Sequence, residues 1–122
     1  HGWIDWSLNF DDLSHFINSF GDPLPGCATY YKKNKVFIQE SSVNYEDPIN
    51  NAYKSGIIYR KGKGWICVSG NGGSLIIEKV IYKNNNIIND IKIGNRFFTP
   101  IKKIEQKSIR VFYDHKGLKK IK

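Results

Sequence analysis

The sequence contains no methionine, and it has few of the residues that would define several classes of protein. Because translation starts at methionine, we expect that His1 is not the natural first residue and that the chain is a piece of a longer protein. Two cysteines in 122 residues are too few for a secreted domain held together by several disulfides. We expect both to be buried and reduced, and a single disulfide between them is the alternative. No apolar run approaches the roughly 18 residues that span a bilayer, and no signal-peptide pattern opens the chain. We therefore expect a cytoplasmic protein that does not associate with a membrane.

The patterns of the common catalytic and metal sites are also missing. None of the three histidines has a second histidine, a cysteine or a paired carboxylate at metal-ligand spacing, so no zinc or iron site is predicted. The sequence has no nucleophile elbow, Walker A motif or dinucleotide fingerprint. Residues 70–73 are rich in glycine but stand between two predicted strands, which favours a hairpin turn over a phosphate-binding loop.

Basic residues are concentrated in one part of the chain. Residues 1–31 contain four aspartates and no lysine or arginine, whereas residues 32–122 contain 19 basic and 7 acidic side chains. Such an asymmetry can indicate an anionic partner, for example nucleic acid. The 16 lysines against three arginines favour a solvated lysine-rich surface instead, because phosphate recognition makes particular use of arginine. Both interpretations stay open.

The first part of the chain predicts one short amphipathic helix. Asn9 can cap its N-terminus, and Asp11 and Asp12 suit the positive end of the helix dipole. Gly21 and Pro23 end the helix. The apolar stripe, at helical spacing, consists of Leu13, Phe16, Ile17 and Phe20.

After Gly26 the pattern changes to the alternation that is typical of strands. Glycine- and asparagine-rich turns separate most of these strands, which predicts a mainly β fold with one N-terminal helix, arranged as a small open antiparallel barrel of the OB type. We assign residues 1–26 to a linker and the helix and 27–122 to the barrel, together one structural domain. The predicted strands are 35–43, 56–60, 65–69, 74–82 and 108–113.

Several short segments stand in an order that is found in a known family. Ile-Asp-Trp at residues 4–6 precedes the helix, and the turn at 22–27 precedes the strand at 35–38. In this order and spacing they are similar to the C-terminal domain of the folate-dependent formyltransferases, which include methionyl-tRNA formyltransferase and the sugar-nucleotide N-formyltransferases. The segment 94–100 resembles the sugar-nucleotide branch. Cys27 replaces the alanine that usually ends the family's turn.

This resemblance implies an OB-like accessory domain that follows a larger catalytic domain. In the family the catalytic domain uses 10-formyltetrahydrofolate as formyl donor, and no stretch here matches its catalytic motif. The resemblance therefore implies a domain without catalytic or cofactor-binding residues, whose partner in cis is the catalytic domain of an enzyme acting on an amino-sugar nucleotide. A homo-oligomer is a further expectation.

Two other functions stay open at this point. One is the tRNA-contacting C-terminal domain of a methionyl-tRNA formyltransferase, although Asn18–Ser19 stand where that branch tends to place an arginine. The other is a free-standing OB-type module that binds oligonucleotides or oligosaccharides through aromatic side chains. Alternation along strands predicts that about half of these rings face inward. They are Tyr30, Tyr31, Tyr53, Tyr59, Trp65 and Phe98.

Two tryptophans near the start of the chain, together with the proline–glycine turn, form a candidate docking seam to the catalytic domain. The alternative is that both indoles cover this domain's own core, and one indole could serve each purpose. The residues of the predicted seam are Trp3, Asp5, Trp6, Pro25 and Gly26.

Overall fold

The structure, a computed structural model, describes residues 2–45 and 55–104. The predicted strand at 108–113 lies outside this part of the chain, as does Tyr53. A 3₁₀ turn, Ile88–Asp90, precedes the last strand, and residues 101–104 form a helical turn. The named elements are α1 (Phe10–Asn18), β1 (Cys27–Tyr31), β2 (Asn34–Ile38), β3 (Ser41–Asn44), β4 (Ile58–Gly62), β5 (Trp65–Gly70), β6 (Gly73–Ile77), β7 (Val80–Tyr82), β8 (Asn85–Asn86) and β9 (Phe97–Phe98).

The predicted helix is confirmed, and so is its cap. The side-chain oxygen of Asn9 accepts the backbone N–H of Asp11 at 2.9 Å, which satisfies one of the free donors of the first turn. Of the predicted stripe, Leu13 and Ile17 are completely buried, and they pack with α1 against β3 and β6. Phe16 and Phe20 are only half-buried, with ring centroids 5.2 Å apart. The stripe is therefore covered within this domain, most tightly along its Leu13–Ile17 edge.

The mainly β prediction with one N-terminal helix is confirmed. The strands form two antiparallel sheets, one in the order β8-β7-β2-β1-β9 and the other in the order β3-β6-β5-β4. The hairpin turns predicted between β4 and β5 and between β5 and β6 are both present. Within residues 2–45 and 55–104 these sheets do not close into a barrel, so the OB-like arrangement stays a prediction.

Two of the predicted strands each divide in two at a corner between the sheets. The strand predicted at 35–43 gives β2 and β3, and the one at 74–82 gives β6 and β7. The pairing keeps one register across the corner, because the last pair before it is Ile38 with Val80 and the first pair after it is Ser41 with Ile77. The pairing between the two predicted strands is therefore continuous, although each strand bends from one sheet into the other.

A second joint connects the two sheets on the opposite side. The carbonyl of Gly56 accepts the N–H of Phe97 at 2.8 Å, and the N–H of Ile58 donates to the carbonyl of Asn95 at 2.9 Å. An isolated bridge between Ile57 and Arg96 lies between these bonds. Helix and sheets enclose one apolar core, which includes residues from both sheets and from α1.

The turn at residues 70–73 has a packing role. The ring of Phe10 lies where a Cβ on Gly73 would stand, 2.6 Å from the nearest ring atom, and the N–H of Phe10 donates to the carbonyl of Asn71 at 2.9 Å. Glycine is needed here so that α1 can approach the hairpin. The hairpin interpretation is thus correct, and the phosphate-loop interpretation is wrong. Both cysteines are buried, as expected.

No helix in the described residues has the length and apolar character that crossing a membrane requires. The same residues contain no group of three or more histidine, cysteine or acidic side chains that could hold a metal ion.

Candidate docking and binding surfaces

The segment before the helix is held along β1. The N–H of Ala28 donates to the carbonyl of Gly2 at 2.8 Å, and the N–H of Ile4 donates to the carbonyl of Ala28 at 2.9 Å. Ile4 is completely buried, whereas its neighbour Trp3 is half-buried on the opposite side. Burial alternates along this segment, because Trp3 and Asp5 are half-buried whereas Ile4 and Trp6 are buried. This alternation separates the two tryptophans of the predicted seam.

Trp6 belongs to the core of this domain. Its side chain is 6% exposed and stacks on Phe97, with ring centroids 5.7 Å apart and the planes 5° from parallel. The indole Nε1–H donates to the Thr29 hydroxyl at 3.0 Å, and the Thr29 and Thr99 hydroxyls are hydrogen-bonded at 2.9 Å. Burying an indole requires such a partner for its N–H, and Thr29 supplies it.

We expect Trp6→Phe to lower the free energy of unfolding by about 1–2 kcal/mol, because the indole hydrogen bond and part of the ring volume are lost. Thr29 keeps its bond to Thr99, which limits the cost. Denaturant unfolding measures the change. Trp65→Phe is the matched control, because that indole is only half-buried in the other sheet, and it should cost less. Equal stability of wild type and Trp6→Phe would contradict the core assignment.

Asp5 and Trp6 line a cleft of about 240 Å³ beside β9. Asp5 accepts the N–H of Ser7 at 3.0 Å and its hydroxyl at 2.6 Å, which fixes the turn into the helix. Two large apolar side chains at this cleft are exposed, Phe98 by 53% and Ile101 by 69%. We call the group formed by Asp5, Trp6, Arg96, Phe98, Ile101 and Ile104 the Phe98 cleft.

Pro25 and Gly26 do not line this cleft. Gly26 has φ of +105°, and a Cβ there would stand 2.7 Å from the carbonyl oxygen of Ile38, so only glycine fits. Pro25 is exposed, and its carbonyl accepts the amide of Gln39 at 3.4 Å. The structure therefore places Asp5 and Trp6 at one surface, and it places the turn that contains Pro25 and Gly26 at a different one. Docking by these residues stays a prediction.

A second surface lies on the outer face of the β2-β1-β9 part of the first sheet. Register places Lys35 and Phe98 on either side of Tyr30, so that all three form one row across the strands. Phe37 lies on the same face, two residues beyond Lys35 on β2. We call the group formed by Trp3, Tyr30, Lys35, Phe37, Phe98 and Lys103 the aromatic–lysine face.

Cation–π contacts organise this face. The Lys35 ammonium lies 5.0 Å from the centroid of Trp3 and 5.3 Å from that of Phe37, and the Lys103 ammonium lies 5.4 Å from Trp3. Trp3 in turn packs on Tyr30 at 5.5 Å. Within the described residues neither ammonium is in ion-pair contact with a carboxylate. Sequence patterns could have located Lys35 and Phe37 by alternation, but Lys103 is brought here only by the fold.

The other aromatic residues named from sequence have structural roles. Tyr31 is buried, and its hydroxyl accepts the N–H of Lys92 at 3.0 Å and the side-chain amide of Asn95 at 2.7 Å. The Tyr59 hydroxyl donates to Ser74 at 2.8 Å. Trp65 is half-buried beneath the guanidinium of Arg60, 5.8 Å from the ring. Of the predicted set within residues 2–45 and 55–104, only Tyr30 and Phe98 therefore join the aromatic–lysine face.

Acidic groups lie at the helix side of the molecule. The Tyr45 hydroxyl donates to Asp11 at 2.9 Å, and this hydrogen bond raises the pKa of Tyr45 above its ordinary value. A further cavity, of about 260 Å³, lies beside the end of α1 and is lined by Glu40 and Glu78 among others. Neither feature touches the two surfaces described above.

Residues 1–96 match the family model described as formyl transferase, C-terminal domain. The chain is also similar to the bifunctional polymyxin resistance protein ArnA of Wigglesworthia glossinidia brevipalpis, with 31% identity over 121 residues. That match covers 98% of this chain and 17% of the relative, so the chain spans about a sixth of the relative's length. The chain belongs to the family of formyl transferase C-terminal domains.

Proposed function

We propose that this chain is the non-catalytic accessory domain of a formyltransferase and that it docks onto a catalytic domain that precedes it in the same protein. The observation that carries the proposal is the family match over residues 1–96, which names a C-terminal domain.

The proposed docking surface is centred on the Phe98 cleft. Ile101 and Phe98 are among the most exposed large apolar side chains of the described chain, and such patches mark interaction sites. Asp5 and Trp6, two residues of the predicted seam, line the same cleft. Residues 2–6 run directly past it along β1, which would bring a preceding domain within reach of the cleft. Trp3, Pro25 and Gly26 would form the outer parts of the seam.

We further propose that the parent enzyme transfers a formyl group from 10-formyltetrahydrofolate to an amino-sugar nucleotide. The resemblance of residues 94–100 to the sugar-nucleotide branch supports the acceptor. Glu40 and Glu78 line the cavity beside α1 and disfavour the glutamate tail of the folate there. We place the donor site in the preceding domain, as the family resemblance implies.

We also infer that the two sheets act as one open OB-like barrel. The unbroken register at the β2–β3 corner supports this arrangement, as do the hydrogen bonds between residues 56–58 and 94–97. A barrel of this kind gives the docking surface a rigid support.

The test uses the whole protein that carries this domain. We expect it to formylate an amino-sugar nucleotide with 10-formyltetrahydrofolate, whereas the 122-residue chain alone transfers nothing. Ile101→Ser should weaken association between the chain and its separately produced catalytic domain by about tenfold or more, because an exposed apolar anchor is lost. Ile93→Ser, which changes another exposed apolar residue that does not line the cleft, should leave association unchanged. Equal effects of both changes would refute the docking surface, and absent formyl transfer would refute the function.

A further inference from the structure

The turn between β5 and β6 contains the one Asn–Gly pair of the sequence, Asn71–Gly72. Asparagine is among the thermally labile residues of proteins. Its lability arises because the backbone nitrogen of the next residue can attack the side-chain amide, and glycine leaves that nitrogen unhindered since it has no Cβ. Every other asparagine of the chain is followed by a residue with a side chain.

The fold leaves the reacting groups of this pair available. Both residues are half-buried, and Gly72 has φ of +89°. Within residues 2–45 and 55–104, the N–H of Gly72 donates to no acceptor of the protein. In the same part of the chain the side-chain amide of Asn71 makes one hydrogen bond, from Nδ2 to the carbonyl of Ser7 at 3.2 Å, at the exposed surface. The attacking nitrogen is therefore free, and the leaving group is held by one long bond.

We infer that Asn71 is a site of spontaneous deamidation, with water as the co-reactant. The Gly72 nitrogen loses its proton to hydroxide and forms a bond to Cγ of Asn71. The bond between Cγ and Nδ2 breaks, and ammonia leaves with a proton from water, which restores the hydroxide. Water then opens the cyclic imide: breaking the bond from Cγ to nitrogen gives aspartate, and breaking the bond from the backbone carbonyl carbon to nitrogen gives isoaspartate. No atom is oxidised or reduced in either step.

The modification affects the contact between the hairpin and the start of α1. The carbonyl of Asn71 accepts the N–H of Phe10 at 2.9 Å, and its Nδ2 donates to the carbonyl of Ser7. A carboxylate at position 71 has no hydrogen to donate and would face the Ser7 carbonyl as a second acceptor. Isoaspartate also lengthens the backbone of the turn, which displaces the carbonyl that Phe10 uses. Deamidation therefore loosens α1 from the hairpin, and this effect does not depend on the proposed docking function.

Mass spectrometry of the full chain, aged in mildly alkaline buffer made with heavy-oxygen water, tests the inference. Trypsin then releases residues 64–79, in which Asn71 is the only asparagine, and residues 84–92, in which four asparagines each precede a residue larger than glycine. We expect the amide of peptide 64–79 to be replaced by a carboxyl group that carries heavy oxygen, in two separable products of equal mass. Peptide 84–92 should stay unmodified over the same period. A peptide 64–79 that keeps its amide, or that reacts no faster than peptide 84–92, would overturn the inference.

Glycine variants separate the chemistry of the pair from backbone strain. Gly72→Ala places a Cβ beside the attacking nitrogen, and the nearest listed atom, Nδ2 of Asn9, would lie 3.4 Å from it, which is an ordinary contact. This variant should lose most of the heavy-oxygen product. Gly64→Ala is the matched control, because it places a side chain at a similar φ of +85° in the other hairpin, and it should react as wild type does. Asn71→Gln keeps an amide on a longer side chain and should also lose the product, since ring closure then needs a larger ring. Equal reaction in Gly72→Ala and Gly64→Ala would contradict attack by the Gly72 nitrogen.

Hydrogen exchange measures the effect on the helix. The deamidated chain carries one more negative charge and can be separated by ion exchange. In that form we expect the protection of the Phe10 amide to fall by about tenfold, as for the loss of one hydrogen bond, whereas that of the Ala28 amide stays as in the unmodified chain. Unchanged protection of Phe10 in the deamidated chain would refute the loosening of α1.

Discussion

Leu13→Ala is expected to lower the melting temperature of the domain by about 10 °C or more. Leu13 is completely buried and belongs to the one core that helix and sheets share. Removing a buried leucine side chain costs about 2–5 kcal/mol, because both transfer free energy and packing are lost. The free energy of unfolding of a domain is only about 5–15 kcal/mol, so this loss is a large fraction of the total stability.

Phe16→Ala provides the informative comparison on the same helix. From sequence alone, full enclosure of Phe16 would have predicted a loss of about 3–5 kcal/mol. Because the ring is only half-buried and contacts Phe20, we now expect a smaller loss than for Leu13→Ala. Leu24→Ala, at a side chain that is 47% exposed, serves as the neutral control. Thermal melts that rank Phe16→Ala above Leu13→Ala would contradict the observed packing of the helix.

The elements that sequence predicted well are those with local signals. The cap at Asn9 and the spacing of the apolar stripe define the helix, and the glycine pairs in the turns define two hairpins. β1 was not predicted, because its residues Cys27, Ala28 and Thr29 are all buried and show no alternation. A strand buried on both faces lacks the period-two pattern on which the prediction depends.

The sequence predicted only part of the candidate site, because only part of it depends on local sequence patterns. Asp5 and Trp6 do meet at one cleft, whereas Trp3 is half-buried on another surface and Trp6 is buried in the core. The cation–π contact between Lys103 and Trp3 depends on the path of the chain after β9, which no local sequence pattern predicts. The corner between β2 and β3 was also missed, because pairing continues through it and the strand signal does not stop.

Gly56→Ala is expected to destabilise the domain by about 3 kcal/mol or more, through the joint that connects the two sheets. Gly56 has φ of +90°, and a Cβ there would stand 2.5 Å from the carbonyl oxygen of Phe97. That oxygen belongs to the backbone, which cannot move aside without breaking the bond between the Phe97 N–H and the Gly56 carbonyl. Strained backbone and a lost hydrogen bond therefore act together.

Gly64→Ala separates the conformational cost from the clash. Gly64 has φ of +85°, close to that of Gly56, but a Cβ there would meet nothing within 4 Å. It should therefore cost only about 1–2 kcal/mol, the penalty of a left-handed conformation for a residue with a side chain. Denaturant unfolding measures both variants. Hydrogen exchange shows where the structure is weakened. Gly56→Ala should lower the protection of the Phe97 and Ile58 amides more than that of the Ala28 amide, which donates to the carbonyl of Gly2. Equal costs for the two glycines would mean that the carbonyl of Phe97 yields freely and that residues 56–58 and 94–97 do not hold the sheets together.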